Sequence, residues 1–244
     1  GLIGAMITAA IGALIVGLIT LRLREEYLAV ATFGIAVTIQ LICLNWESVT
    51  GGSLGLIGIP NPTHELVDWT LYQNALYLAI VASVTILVLW ALNRLVTGPW
   101  GRVLKAIRED ETAAASLGKN PALIRLTAFV IGCSLMGLSG ALYVGFIGFV
   151  SPFDFLPIVT FQIWTMLIVG GSANNRGAVL GAVVVWGIWT TSGYVIAQLV
   201  PPEAQAQSGA LQAVLIGTIL VLSLLFRPRG LLGEQIHVSR HAKV

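Results

Sequence analysis

Side chains able to do chemistry are few in this sequence, and they do not cluster as a catalytic centre would. Gln40, Asn45, Asn74 and Gln162 place amides in or beside long apolar stretches. An amide in such a place either hydrogen-bonds to a neighbouring helix or faces the charged ends of a small zwitterion. His64, His237 and His241 are scattered, so no metal site is expected. Cys43 and Cys133 fall inside apolar stretches, too few and too far apart for a disulfide framework, and both are assigned to packing. No nucleophile stands with a positioned base. The run Thr50-Gly51-Gly52-Ser53-Leu54-Gly55-Leu56-Ile57-Gly58-Ile59-Pro60 is rich in glycine but lacks the lysine of a phosphate-binding loop. Its glycines permit unusual backbone angles. It is either a plain loop with tight turns or a re-entrant turn lining a passage, because irregular backbone at membrane depth must face protein or a cavity.

The polar stretch from Asn93 to Arg125 is the other informative place. Gly98-Pro99 opens a helix, with proline tolerated in the first turn. Trp100, Val103, Leu104 and Ile107 share one face, and Arg102, Lys105 and Arg108 point elsewhere. That pattern predicts an interfacial helix lying on the inner leaflet. Asp110 is a good N-cap for a second helix, and Glu111 adds favourable charge to its first turn. The body, Thr112 to Leu117, is about two turns long. Gly118 stops it and Pro121 bars its continuation. Its alanine-rich surface is small and smooth, suited to a groove on another protein.

What must position these residues is a set of membrane spans. Of 244 residues, 57% are hydrophobic and only 10% are charged, against about 25% charged in soluble chains. Windows of about 20 apolar residues match a ~30 Å hydrocarbon core. They predict spans at Leu2–Leu21, Tyr27–Trp46, Leu71–Leu92, Leu126–Phe149, Ile158–Gly170, Ala178–Val200 and Ala210–Phe226. The fifth is short, and is expected to start a few residues earlier or to break near Gly170-Gly171. The first span lacks a basic leader and a cleavage site, so no signal peptide is expected.

The charges then fall into an alternation. Arg22 and Arg24 follow span one; Arg94, Arg102, Lys105, Arg108, Lys119 and Arg125 follow span three; Arg176 follows span five; Arg227, Arg229, Arg240 and Lys243 follow span seven. The loops after spans two, four and six carry only Glu47, Glu65, Asp68, Asp154 and Glu203. The positive-inside rule puts the basic loops and the C-terminus in the cytoplasm. It puts Gly1 on the outer side, which predicts at least one further helix upstream. No charge falls within a span, which argues against proton coupling. No clustered basic face suits nucleic acid. Small residues recur every four positions at Ala5, Ala9, Ala13 and Gly17, at Cys133, Gly137, Ala141 and Gly145, and at Gly177 and Gly181. They predict tight helix packing. The fold class is therefore all-α: a polytopic membrane protein of about seven transmembrane helices in contact with lipid, with a short cytoplasmic helix.

The run GRVLKAIREDETAAASLGKNPALIRLTAF resembles the cytoplasmic loop of LivM-type permeases, the branched-chain amino acid branch of ABC importers. LRLREEYLAVATFGIAVTIQL, TGGSLGLIGIP, GGSANNRGAVLGA and LFRPRGLLG resemble further segments of that family in the same order. Glu25-Glu26 and Arg176 depart from its usual pattern. The resemblance implies a non-enzymatic permease subunit, without a cofactor, that moves branched-chain or other neutral amino acids across a bacterial inner membrane. It implies a second permease subunit, cytoplasmic ATPase subunits that hydrolyse ATP, and a periplasmic or extracellular substrate-binding protein. It makes the short cytoplasmic helix a coupling helix, with Arg108, Glu109, Asp110, Glu111, Ala113, Ala114 and Gly118 docking on the ATPase. It tilts Thr50, Gly51, Gly52 and Gly55, with Gln40 and Asn45, toward the substrate path. Residues 1–226 would form the permease domain, with loop 93–125 inside it, and residues 227–244 a cytoplasmic tail. The alternatives are a urea or short-chain amide permease of the same family, a stand-alone secondary transporter or channel, and a membrane-embedded enzyme.

Overall fold

The computed structural model describes residues 1–20, 23, 25–60, 70–171, 174–199, 208–227 and 230–233. Arg22, Arg24, His64, Glu65, Asp68, Trp69, Glu203, Arg229, His237, Arg240, His241 and Lys243 lie outside the described residues, as do Leu21 and Val200 at the expected ends of two spans. The described chain is almost wholly helical. It divides after Asp154 into two compact units.

The first unit holds α1 (Leu2–Thr20), α2 (Glu25–Asn45), α3 (Glu47–Thr50), α4 (Thr70–Thr97), α5 (Pro99–Glu109), α6 (Glu111–Ser116) and α7 (Pro121–Ile147). Two two-residue strands, β1 (Leu56–Ile57) and β2 (Phe149–Val150), pair antiparallel within it. The second unit holds α8 (Pro157–Gly170), α9 (Asn175–Leu199) and α10 (Ser208–Phe226). Among the described residues, α1, α2, α4, α7, α9 and α10 each contain a stretch long and apolar enough to cross a membrane. Each expected span falls on one helix over its described residues, except that Trp46 lies just past α2 and that Gly148 and Phe149 lie past α7, with Phe149 in β2. Long apolar side chains stay exposed along them, Ile3, Val30, Ile86, Val183 and Leu225 among others, as surfaces facing hydrocarbon must.

The fifth expected span is α8. Its 14 residues reach about 21 Å at 1.5 Å per residue, short of a ~30 Å core. Both ends have a local cause. Pro157 occupies the first turn after a 3-10 turn at Pro152–Phe155, and Gly171, at φ 111°, ends the helix.

The expected small-residue faces meet. α1 packs along α7. A Cβ on Gly137 would lie 2.5 Å from the Ala9 Cβ and 2.6 Å from the Ala5 carbonyl oxygen. The backbones therefore approach as closely as glycine allows, which is how helices gain packing energy where lipid offers no hydrophobic drive. Gly177 and Gly181 of α9 abut α8 in the same way: a Cβ on Gly181 would come within 2.0 Å of the Met166 carbonyl oxygen.

Candidate functional site

The polar stretch between α4 and α7 is ordered along nearly its whole length. α4 runs on past its apolar window to Thr97, and α7 starts at Pro121, so little loop remains. Gly98 caps α5 and Pro99 fills its first turn. Gly101 is buried, and a Cβ there would lie 2.1 Å from the Val96 carbonyl oxygen. That close approach folds α5 back onto the end of α4. Ile107 is buried, Trp100, Val103 and Leu104 are half-buried, and Arg102, Lys105 and Arg108 are exposed. The amphipathic pattern is thus real, but part of its apolar face already packs against the chain itself. The sequence pattern alone gave that face to the inner leaflet.

Asp110 joins α5 to α6. Its extended backbone (φ −151°, ψ 106°) turns the chain, and its N–H still closes α5 on the Ala106 carbonyl at 2.9 Å. Its Oδ1 accepts hydrogen bonds from the Thr112 hydroxyl (2.6 Å) and from the N–H groups of Thr112 (2.9 Å) and Ala113 (3.0 Å). The Thr112 hydroxyl first, and then the Ala113 N–H, hold its carboxyl below the usual aspartate range.

α6 ends as the glycine predicts. Gly118 has φ +76°, its N–H donates to the Ala115 carbonyl at 2.9 Å, and the Lys119 N–H donates to the Ala114 carbonyl at 3.3 Å. This is the Schellman arrangement. Asn120 then caps α7, its Oδ1 accepting from the Leu123 N–H at 3.2 Å, with Pro121 in the first turn. The Glu111 carboxylate pairs with the Arg125 guanidinium at 2.6 Å. Both side chains are well exposed, so the pair ties α6 to α7 for no more than about 1 kcal/mol.

α6 is therefore a short platform fixed at both ends. Arg108, Glu109, Asp110, Glu111, Ala113 and Gly118 are all exposed on it or beside it. Ala114 is not: it is 4% exposed and faces the chain's own core. Leu117 is 81% exposed at the tip. The sequence carried the signal for Leu117, a lone large apolar residue just before the stopping glycine of a polar helix. Asn120 and the Glu111–Arg125 pair also went unread, since a cap and an ion pair across 14 positions leave no periodicity.

The glycine-rich run after α2 forms a compact knot. α3 ends on Gly51 (φ 73°), a 3-10 turn spans Gly52–Leu54, and Gly55 (φ 70°) leads into β1. A Cβ on Gly51 would lie 2.1 Å from the Gly55 carbonyl oxygen, and one on Gly55 2.1 Å from the Val150 carbonyl oxygen. Leu56 pairs with Val150 and Ile57 with Phe149, so this knot is joined to the turn that follows α7. The Thr50 hydroxyl donates to the carbonyls of Cys43 and Trp46 and accepts from the Gly52 N–H. Gln40 donates from Nε2 to the Pro152 carbonyl at 3.1 Å, and Asn45 from Nδ2 to the Leu41 carbonyl at 2.7 Å.

Gln40, Thr50, Gly51, Gly52 and Gly55 are thus brought together, with Asn45 one helical turn away. The hydrogen bonds of the three side chains go to backbone, so here they shape the junction. Of the other amides, Asn74 is exposed. Gln162 on α8 is 7% exposed, and its Nε2 has no partner among the described residues. Among the described residues, no group of His, Cys, Asp or Glu is placed to hold a metal ion.

A family profile described as "Branched-chain amino acid transport system / permease component" matches residues 1–224. The high-affinity branched-chain amino acid transport system permease protein LivM of Escherichia coli is 31% identical over 251 residues, covering 94% of this chain and 56% of the relative. The probable branched-chain amino acid transport permease protein LivM of Methanocaldococcus jannaschii is 29% identical, covering 96% of this chain and 69% of the relative. The permease protein LivH of the Escherichia coli high-affinity system is 28% identical over 162 residues, covering 64% of this chain and 47% of the relative. The chain thus spans a little over half the length of the Escherichia coli LivM protein. No solved structure matches it.

Proposed function

This chain belongs to the branched-chain amino acid transport permease family, and from that premise we propose that it is the LivM-type permease subunit of an ABC importer for branched-chain or other neutral amino acids. The observation that carries the reading is the family match across residues 1–224, joined to a capped, outward-facing α6 in the segment between α4 and α7. Substrate binding would be shared with an external binding protein, and ATP hydrolysis would belong to ATPase subunits in the cytoplasm. The second permease has direct support, because the Escherichia coli system has two permease proteins, LivM and LivH, and both are similar to this chain.

The chain is multi-pass. The basic residues of 93–125 and of the tail 227–244 support, by the positive-inside rule, a cytoplasmic side for both at a bacterial inner membrane. Residues 1–226 act as the permease domain. Closure of the ATPases pushes on α6 through Arg108, Glu109, Asp110, Glu111 and Ala113, with Gly118 setting the turn. Leu117 is the apolar anchor of that contact: burying such a side chain is worth about 2 kcal/mol, and anchors of this kind dominate interfaces. Ala114 acts from inside, by seating α6 on the chain. Gln40, Asn45, Thr50, Gly51, Gly52 and Gly55 form the junction at the outer mouth, where the substrate enters the path.

Leu117→Asp tests the docking role without touching the buried side of α6. In gently solubilised membranes the variant is expected to insert normally, to keep the second permease, and to recover at least ~10-fold less ATPase, in line with the loss of about 2 kcal/mol. Full recovery of the ATPase with Leu117→Asp would remove α6 as the docking element. A chain that comes down alone and still transports would support a stand-alone carrier.

A further inference from the structure

The end of α8 is closed by residues from far along the chain. The Leu231 N–H donates to the Val169 carbonyl at 2.8 Å, and the Leu232 N–H to the Gly170 carbonyl at 3.0 Å. These are two of the four carbonyls that a helix leaves without partners at its C-terminus. The Gly171 N–H satisfies a third, on Leu167, at 2.9 Å. Gly230 makes the approach possible. It is buried at φ +69°, and a Cβ there would lie 2.5 Å from both Cα and N of Gly171 and 2.8 Å from the Ile168 carbonyl oxygen. The Gly230 N–H turns back onto the Arg227 carbonyl at 2.8 Å, immediately after α10 ends.

α9 grips the same end of α8. A Cβ on Gly170 would lie 2.0 Å from the Gly177 carbonyl oxygen, and one on Gly177 2.5 Å from the Gly170 carbonyl oxygen. Higher up, a Cβ on Gly193 of α9 would lie 2.5 Å from Nε2 of Gln212 on α10, the end of a flexible side chain, so α10 is held to this piece by the backbone bonds of 230–232 rather than by that contact. Shear between packed helices proceeds by small shifts that side-chain rotamers absorb. Backbone pressed on backbone, and hydrogen-bonded to it, has no rotamer that can yield.

We propose that residues 230–232 are a strap that keeps the ends of α8 and α10 joined through the whole transport cycle, so that α8, α9 and α10 move as one piece without sliding on one another. Gly230 and Gly171 are then positioning residues for transport. The transport readout rests on the importer reading above. Protection of the Leu231 and Leu232 amides in the nucleotide-free protein does not, and only its comparison between nucleotide states shares that premise.

The test uses the importer assembled from this chain with its co-expressed partner subunits. Exchange at the Leu231 and Leu232 amides is followed in the nucleotide-free, ATP-bound and substrate-loaded states. Strong and equal protection in all three is expected; protection lost in any one overturns the strap as a permanent closure. In a Cys43→Ser, Cys133→Ser background, Val169→Cys and Leu231→Cys are then joined by a short, reducible bis-thiol reagent. Uptake within about twofold of the unjoined protein is expected. A loss of tenfold or more that a reductant reverses would mean that the strap opens during the cycle. Gly230→Val is expected to deprotect both amides and abolish uptake, and its failure to deprotect them would also overturn the proposal. An assembly that takes up no amino acid even before cross-linking counts against the importer reading, while exchange still decides the strap.

Discussion

Asp110 closes one helix and opens the next, and one of its two carboxylate oxygens, Oδ1, holds three donors. Its folded pKa is depressed, so the sign of its pH dependence is fixed. The ionised form stabilises the α5–α6 junction above the ordinary aspartate range, near pH 3.9, and that contribution is lost as pH falls through the lower, folded value. Exchange at the Thr112 and Ala113 amides is therefore expected to quicken only at strongly acid pH. Asp110→Asn, which caps a helix about as well, should remove this acid transition while keeping protection at neutral pH. An acid transition that persists in Asp110→Asn would assign it to another group. Gln162 is the opposite case. A buried donor without a partner costs about 1–3 kcal/mol, so Gln162→Leu should raise the thermal midpoint of the detergent-solubilised protein. A lower midpoint would mean that the amide has a partner in the assembly. Hydropathy identified Gln162 as polar within a span. Its isolation was not legible, because it depends on what the packed structure presents to the side chain.

At the scale of elements, glycine decides where helices touch. Gly132 and Gly140 flank Gly137 on α7, yet a Cβ on either would meet nothing within 4 Å. Gly137→Leu is expected to cost about 1–3 kcal/mol through overpacking against α1, with Gly132→Leu close to neutral. Thermal unfolding of the two variants side by side checks this, and equal midpoints would contradict the α1–α7 contact. The every-fourth-residue pattern announced this face because close approach requires small residues on both partners. Span positions were legible for a similar reason: about 20 apolar residues have one physical use. Helix ends were not. α4 continues into Arg94 and α7 begins four residues before Arg125, because backbone hydrogen bonding continues into water where hydropathy stops. Ala114 shows the same limit. Alanine suits either side of a helix, so only the packed structure tells the buried Ala114 from the exposed Ala113.

At the scale of the whole molecule, the alternation of basic and acidic loops and the family match point the same way. The alternation of Lys and Arg, which are costly to translocate, supports the proposed sidedness. The match gives the permease family over residues 1–224. The candidate sites were partly legible within that frame. The short helix proposed for coupling was legible as a helix through Asp110, Glu111 and Gly118, each with a fixed place in a capped helix. The junction around Thr50 did not, since the β1–β2 pairing joins segments almost a hundred residues apart. Gln40 there reaches Pro152 across 112 positions. No local pattern encodes such a contact.

The most direct measurement is uptake of radiolabelled leucine into proteoliposomes carrying the full-length protein with its co-purified subunits and binding protein, with ATP inside. Accumulation that needs ATP, the ATPase and the second permease, and that excess urea or acetamide leaves unchanged, is the predicted result. Uptake by this chain alone, or an assembly that carries urea or amides and ignores leucine, would contradict the account.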